Sequence, residues 1–329
     1  MRSGAERPVL FRVAAGPRLG FGHLLRARAL ASVIPHASLV SVRGPRVIAR
    51  DPRLGLAIAA GSAARLFARC RPRLVVIDDP NAREAGKWCA AARAHGVPVA
   101  SLHDLGRAAI ESDLAIDGSA CRVRVLKGRR RLTGCRFAVL PASVAAARRA
   151  RRSRPDRPRI VVTFGGGAVG GLAHSVGRAI ARARLDVDVD VILGPGAGRL
   201  RQRGTPQPNL RFPSAGYNLV DRLTRADVAV LGGGRTLYEA CALGVPSVTV
   251  PVVAAQRQTC AAFVRAGAAR GVPGRAWTSR ARLLAVLVCE VERLLDDAAL
   301  RRRVASRARG LVPARGVFHV ARELVLLAR

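Results

Sequence analysis

At 329 residues the chain is long enough for two domains of ordinary size, each with its own core, and too long for a single small module. Half of the residues are hydrophobic but only 4% are aromatic, so the cores must be built from Ala, Val, Leu and Ile, which favours helix-covered sheets over a β-sandwich. The formal net charge of +36 is almost entirely arginine, Lys87 and Lys127 being the only lysines, and no aromatic-studded basic motif of the RNA-binding kind accompanies it. A composition bias accounts for that charge, so nucleic acid is not an expected partner; attraction to an anionic membrane surface is its other physical consequence.

Cys70, Cys89, Cys121, Cys135, Cys241, Cys260 and Cys289 are odd in number and contain no C-x-x-C pair. They read as reduced, mostly buried small hydrophobes of a cytoplasmic protein, with no structural zinc site. The first residues lead into a strand-like run instead of a signal-peptide core, and arginine, glycine or proline interrupts every apolar stretch before it reaches a membrane span.

In chain order, short β-branched runs alternate with alanine-rich helical stretches, the pattern of a mostly parallel, helix-covered sheet. Val9 to Ala14 reads as a strand and Gly22 to Ile34 as a helix. Leu74 to Ile77 is a strand ending in Asp78-Asp79, followed by a helix from about Ala82 to His95; Val97 to Leu102 and Leu114 to Ile116 continue the series. The arginine- and proline-punctuated stretch 146–158 is expected to link an N-terminal domain, 1–145, to a C-terminal one, 159–310. In that second domain Ile160 to Phe164, Val187 to Leu193, Val228 to Leu231 and Ser247 to Val250 read as strands, and Arg280 to Leu295 as a long helix. A last helix, Val317 to Leu327 within 311–329, is expected to return to the N-terminal domain.

Three glycine-rich turns follow predicted strands. In an open parallel sheet, ligands bind beyond the carboxyl ends of the strands, where glycine lets the backbone approach and a helix N-terminus offers unpaired N–H groups. The first turn, Gly20-Phe21-Gly22-His23, lacks the G-x-G-x-x-G spacing of a dinucleotide site, so a nicotinamide cofactor is not expected. His23 stands at the helix mouth, suited to general acid or base work near neutral pH, or simply to capping and packing. The second turn, Gly165-Gly166-Gly167, clusters backbone donors for an anion. The third, Gly232-Gly233-Gly234, enters a helix in which Glu239 either forms a capping box with Thr236 or accepts hydrogen bonds from ribose hydroxyls.

Taken together, these residues carry a family likeness over nearly the whole chain. Gly20-Phe21-Gly22-His23 with Arg26, Val76-Ile77-Asp78-Asp79, Leu102-His103-Asp104-Leu105, Phe164-Gly165-Gly166, Gly232-Gly233-Gly234 with Glu239, Leu243-Gly244-Val245-Pro246 and Gln256-Arg257 stand in the order and spacing of one group of proteins. The chain resembles the hydrolases that release UDP from UDP-diacetamido-trideoxy-altrose in pseudaminic acid synthesis, and the related spore-coat polysaccharide proteins. More distantly, its second half is similar to the N-acetylglucosaminyl transferase of peptidoglycan assembly.

The resemblance implies an α/β GT-B fold, two Rossmann-like domains with parallel sheets facing across a cleft. It implies a UDP-sugar substrate, no metal and no other cofactor. His23 would be the catalytic residue, with Gly20, Gly22 and Arg26 beside it; Gly165, Gly166, Gly233, Gly234 and Thr236 would hold the diphosphate, Glu239 the ribose, and Gln256 would lie near sugar or phosphates. A membrane-surface glycosyltransferase and a non-catalytic sugar-nucleotide binder are the alternatives. The chain departs from the family pattern at Ala14, Ala168, Arg235 and Ala255, positions otherwise polar or small, and in Asp117-Gly118-Ser119.

Overall fold

A computed structural model describes residues 7–16, 19–35, 38–43, 57–105, 110–121, 126–149, 157–165, 170–194, 206–213, 219–273 and 279–329. Its contacts divide the chain into two compact units, Met1–Ala142 with Arg315–Arg329, and Ser143–Ala314.

The first unit is built on a parallel sheet of β1 (Val9–Ala14), β2 (Ser38–Arg43), β3 (Ala57–Ile58), β4 (Leu74–Asp78), β5 (Val99–His103), β6 (Ser112–Asp117) and β7 (Gly128–Thr133). Their spatial order is β3-β2-β1-β4-β5-β6-β7. Alternation along β1 sends Val9, Phe11 and Val13 to one face, where they pack with Leu24 and Leu30 of helix α1 (Gly22–Ala31). Leu10 faces the other side, towards Leu66 and Phe67 of α2 (Ala63–Cys70) and Trp88 of α3 (Ala82–Ala94). α1 stops at Ala31, short of the expected Ile34: Ser32 Oγ donates to the Ala29 carbonyl, and Pro35 follows within one turn.

The C-terminal helix, α11 (Gly316–Leu327), belongs to this unit, with Val317, Val320, Ala321 and Leu324 in the same core as α1. Its start lies so close to the backbone of Ala138 that a Cβ on Gly316 would stand 2.1 Å from the Ala138 carbonyl oxygen.

In the second unit the helices are α4 (Ala142–Arg149), α5 (Gly170–Ala183), α6 (Leu219–Thr224), α7 (Arg235–Leu243), α8 (Arg257–Arg265), α9 (Arg280–Asp296) and α10 (Ala298–Leu311). The strands are β8 (Arg159–Thr163), β9 (Asp188–Val191), β10 (Leu210–Arg211), β11 (Val228–Gly232), β12 (Ser247–Val250) and β13 (Arg270–Gly271). They pair in parallel in the order β10-β9-β8-β11-β12-β13, and so repeat the strand order of the first sheet. Both faces of the central strands are covered, which explains why they read as unbroken apolar runs: Ile160, Val162, Val228 and Val230 pack on α5 and α9, while Ala229, Leu231 and Val161 are equally buried on the other face.

Residues 146–149, expected to open a linker, are the last turn of α4. The Arg148 side chain donates to the carbonyls of Ala242, Val312 and Arg309, binding this helix to the C-terminal ends of α7 and α10. Of the rest of the expected linker, 150–156 lies outside the described residues, and 157–158 leads into β8.

Candidate functional site

In each sheet the strand order reverses between the first strand and the fourth, β1 beside β4 and β8 beside β11. Crossovers leave such a point in opposite directions, opening a crevice beyond the carboxyl ends. The candidate residues stand at these two points.

In the first unit, β1 leads through a tight reversal in which Gly16 and Gly20 exchange backbone hydrogen bonds of 3.1 and 2.7 Å. Gly20 has φ +77°, a conformation that favours glycine; Gly22 opens α1 with open space around it. His23 and Arg26, one helical turn apart, lie on the same face of α1. Both reach Asp78, the last residue of β4, whose carboxylate is buried.

His23 Nδ1 lies 2.7 Å from Asp78 Oδ1. Arg26 grips Asp78 with two guanidinium nitrogens, at 2.8 and 2.6 Å, and reaches Asp104, beyond β5, at 2.5 and 2.9 Å. Arg26 Nη2 also stands 2.9 Å from His23 Nδ1. An ionised carboxylate 2.7 Å away only accepts, so the tautomer that fits carries its proton on Nδ1 and donates it to Asp78. Arg26 Nη2, itself a donor, then lies beside Nδ1 without a hydrogen bond between them and spends its own on the two carboxylates. Nε2 is thereby left as the basic nitrogen.

Burial disfavours the imidazolium, but attraction to Asp78 and its hydrogen bond prevail over that and over repulsion from Arg26, holding the His23 pKa above its ordinary value. Burial would raise Asp78 as well; Arg26 and His23 outweigh it, and the carboxyl stays ionised far below its usual range. The next carboxylate, Asp79, points to the opposite side of the strand. There it accepts a bidentate pair from Arg43 at 2.8 and 2.6 Å, and its Oδ1 also receives the Asn81 amide at 3.0 Å, organising the start of α3.

Asp78 and Asp104 belong to this cluster, although the sequence singled out only His23 and Arg26 as site residues. The available signal was an acid ending each of two apolar strand runs, which gains meaning only once β4 is known to lie next to β1.

In the second unit, Gly165 follows β8 with φ +83°, and its amide donates to Thr163 Oγ1 at 3.4 Å. Gly166 and Ala168 lie outside the described residues. After β11 the turn Gly232-Gly233-Gly234 enters α7, with Gly234 as the N-cap and no side chain capping the helix. The capping-box alternative for Thr236 and Glu239 is thus corrected: Thr236 is already the second helical residue, and the buried Glu239 carboxylate pairs with Arg235 Nε at 3.1 Å.

Gln256 braces this turn from the short 3₁₀ segment Ala254–Gln256. Its Oε1 accepts the amides of Gly233 at 3.0 Å and Val252 at 3.1 Å. The Gly233 amide, expected to face a phosphate, is therefore occupied. A Cβ at Gly233 would stand 2.6 Å from Cys260 Sγ and 2.9 Å from the Gln256 carbonyl, so this glycine serves close packing. Gly234, Arg235 and Thr236 keep free amides among the described residues, at the positive end of the helix.

No family model matches the chain. Over 230 residues, 65% of its length, it is 25% identical to the spore coat polysaccharide biosynthesis protein SpsG of Bacillus subtilis (strain 168), and the match covers 65% of that relative, just under two thirds. Among solved structures, it is similar to the spinosyn rhamnosyltransferase SpnG in complex with thymidine diphosphate, with a TM-score of 0.67 at 16% identity, covering 95% of this chain and 99% of the other. It is likewise similar to MurG of Acinetobacter baumannii, with a TM-score of 0.63 at 17% identity, over 97% and 99% of the two chains. The chain has the GT-B fold. At these identities the likeness speaks for the architecture and not for the reaction. Among the described residues no group of His, Cys, Asp or Glu could hold a metal ion, and no helix is long and apolar enough to cross a membrane.

Proposed function

We propose that this chain is a nucleotide-sugar-dependent enzyme of surface-polysaccharide synthesis that transfers a glycosyl group from a nucleoside diphosphate. The observation that carries the reading is the His23–Asp78 pair, a buried carboxylate orienting a half-buried imidazole so that its basic nitrogen is free. Such a base takes the proton of an attacking hydroxyl as it reaches the anomeric carbon. The diphosphate departs as the leaving group; taken by itself, the second unit offers in the free amides that open α7 a set of donors suited to such a charge. This reading gives the proton chemistry to the first unit and the nucleotide to the second. SpsG, named for spore coat polysaccharide synthesis, and SpnG, a rhamnosyltransferase holding thymidine diphosphate, support it.

Hydrolysis, with water as the attacking group, is the second reading. It is favoured by the Gly20-Phe21-Gly22-His23 turn and its resemblance to the UDP-sugar hydrolases. Purified protein incubated with UDP- and TDP-sugars, with and without saccharide acceptors, separates the two through release of free nucleoside diphosphate. Release that depends on acceptor supports transfer, and release in water alone supports hydrolysis. For either reaction, His23→Ala is expected to lower the rate by about 100- to 10,000-fold. Equal rates for variant and wild type would remove the imidazole from the chemistry, and binding without turnover would leave a sugar-nucleotide-binding protein.

A further inference from the structure

The first residue of α7 is an arginine, and the structure leaves it incompletely satisfied. Arg235 Nε pairs with Glu239 at 3.1 Å, one helical turn on. Its Nη1 is buried and has no hydrogen-bond partner among the described residues. The same helical turn presents the free amides of Arg235 and Thr236. A guanidinium offers five donors in a fixed fork and matches a phosphate bidentately. Held against one carboxylate oxygen with another nitrogen idle, it has more donors than its present site accepts.

We propose that Arg235 is the diphosphate-reading residue of this chain, exchanging the Glu239 carboxylate for a phosphate when a nucleoside diphosphate reaches the first turn of α7. The exchange frees Glu239 to accept hydrogen bonds from sugar hydroxyls of the same ligand. One side chain thus couples recognition of the phosphates to recognition of the nucleoside. The inference rests on the nucleotide reading given above, but it assigns a role that Gly234, Thr236 and Glu239 alone would not fill.

Calorimetric titration with UDP, TDP and their nucleosides tests it in the full chain, taking the affinity ratio of diphosphate to nucleoside as the readout. Removing Arg235 alone would strand a buried carboxylate, so Arg235→Ala is made on a Glu239→Gln background and compared with Glu239→Gln itself. Glu239→Gln is expected to keep or raise the ratio, because the guanidinium is released. Adding Arg235→Ala is expected to lower it by at least about tenfold, the worth of a charge-assisted hydrogen bond. An unchanged ratio in the double variant overturns the role of Arg235 while leaving the nucleotide reading intact. Wild-type protein that binds neither diphosphate overturns both.

Discussion

Asp78 decides which nitrogen of His23 is free to work. Replacing it by Asn removes the charge that holds the imidazole pKa up, while burial and Arg26, which both push it down, remain. A general base is active when neutral, so the rising limb of the pH–rate profile should lie above pH 6.5 in the wild type and move to lower pH in Asp78→Asn, with a reduced plateau. A profile unmoved by the substitution would separate the two residues functionally. The same shift has a stability consequence of fixed sign: the raised pKa of His23 contributes stability that is complete below 6.5 and is lost as pH rises through the folded-state value.

His103 behaves oppositely. It is buried at the end of β5 with Nε2 2.7 Å from Ser101 Oγ, and burial lowers its pKa. The unfolded chain then binds more protons, so this contribution to stability is lost as pH falls through about 6.5. His103→Gln should flatten the dependence of the urea midpoint between about pH 5 and 7, a window set by the ordinary histidine value. An unaltered slope would show that His103 titrates alike in both states.

The glycine turn and the C-terminal helix are held by contacts that leave no room for a side chain. Gly233→Ala must displace Cys260 or the Gln256 backbone and should cost about 1–3 kcal/mol in chemical denaturation. Gln256→Ala leaves the amides of Gly233 and Val252 without their acceptor and should weaken nucleoside diphosphate binding, whereas Gln256→Glu, which keeps an acceptor oxygen there, should retain more of it. At the other end of the chain, Gly316→Ala should loosen α11 from Ala138 and destabilise the first unit by at least about 1–3 kcal/mol. A wild-type midpoint in that variant would mean that the helix can shift without loss.

Much of this level was legible in one dimension. The β11 and β12 runs and the α9 helix read directly because apolar stretches are local signals; the structure adds the N-cap of α9, Ser279, whose Oγ receives the Arg282 amide at 3.2 Å. β7 carried no such signal. Its Gly-Arg-Arg-Arg-Leu-Thr sequence is mostly exposed because it forms the edge of the sheet, where arginine discourages further pairing instead of filling a core.

For the molecule as a whole, the two cores are separate and the second unit is continuous in sequence. Residues 143–314 expressed alone should therefore unfold cooperatively. If the nucleotide reading holds, this fragment should also be stabilised by UDP or TDP, by about 2.7 kcal/mol at a hundredfold excess over the dissociation constant. A fragment that folds but ignores both diphosphates would move the nucleotide out of this unit. The charge of +36 is likewise a property of the whole: if it is compositional, the protein should show little affinity for arbitrary duplex DNA at physiological salt, whereas a strong affinity falling steeply with log salt, as counterion release requires, would favour nucleic-acid binding.

The sequence by itself determined the alternation of strand and helix, the apolar character of the central strands and the three glycine turns, because each is written in residues adjacent along the chain. Only the tertiary structure decided that Asp78 meets His23 across 55 positions, that Arg235 pairs with Glu239, and that Gln256 takes the Gly233 amide. Strand order and side-chain direction govern these meetings. They arise when crossovers bring distant strand ends together, information that no window of neighbouring residues contains.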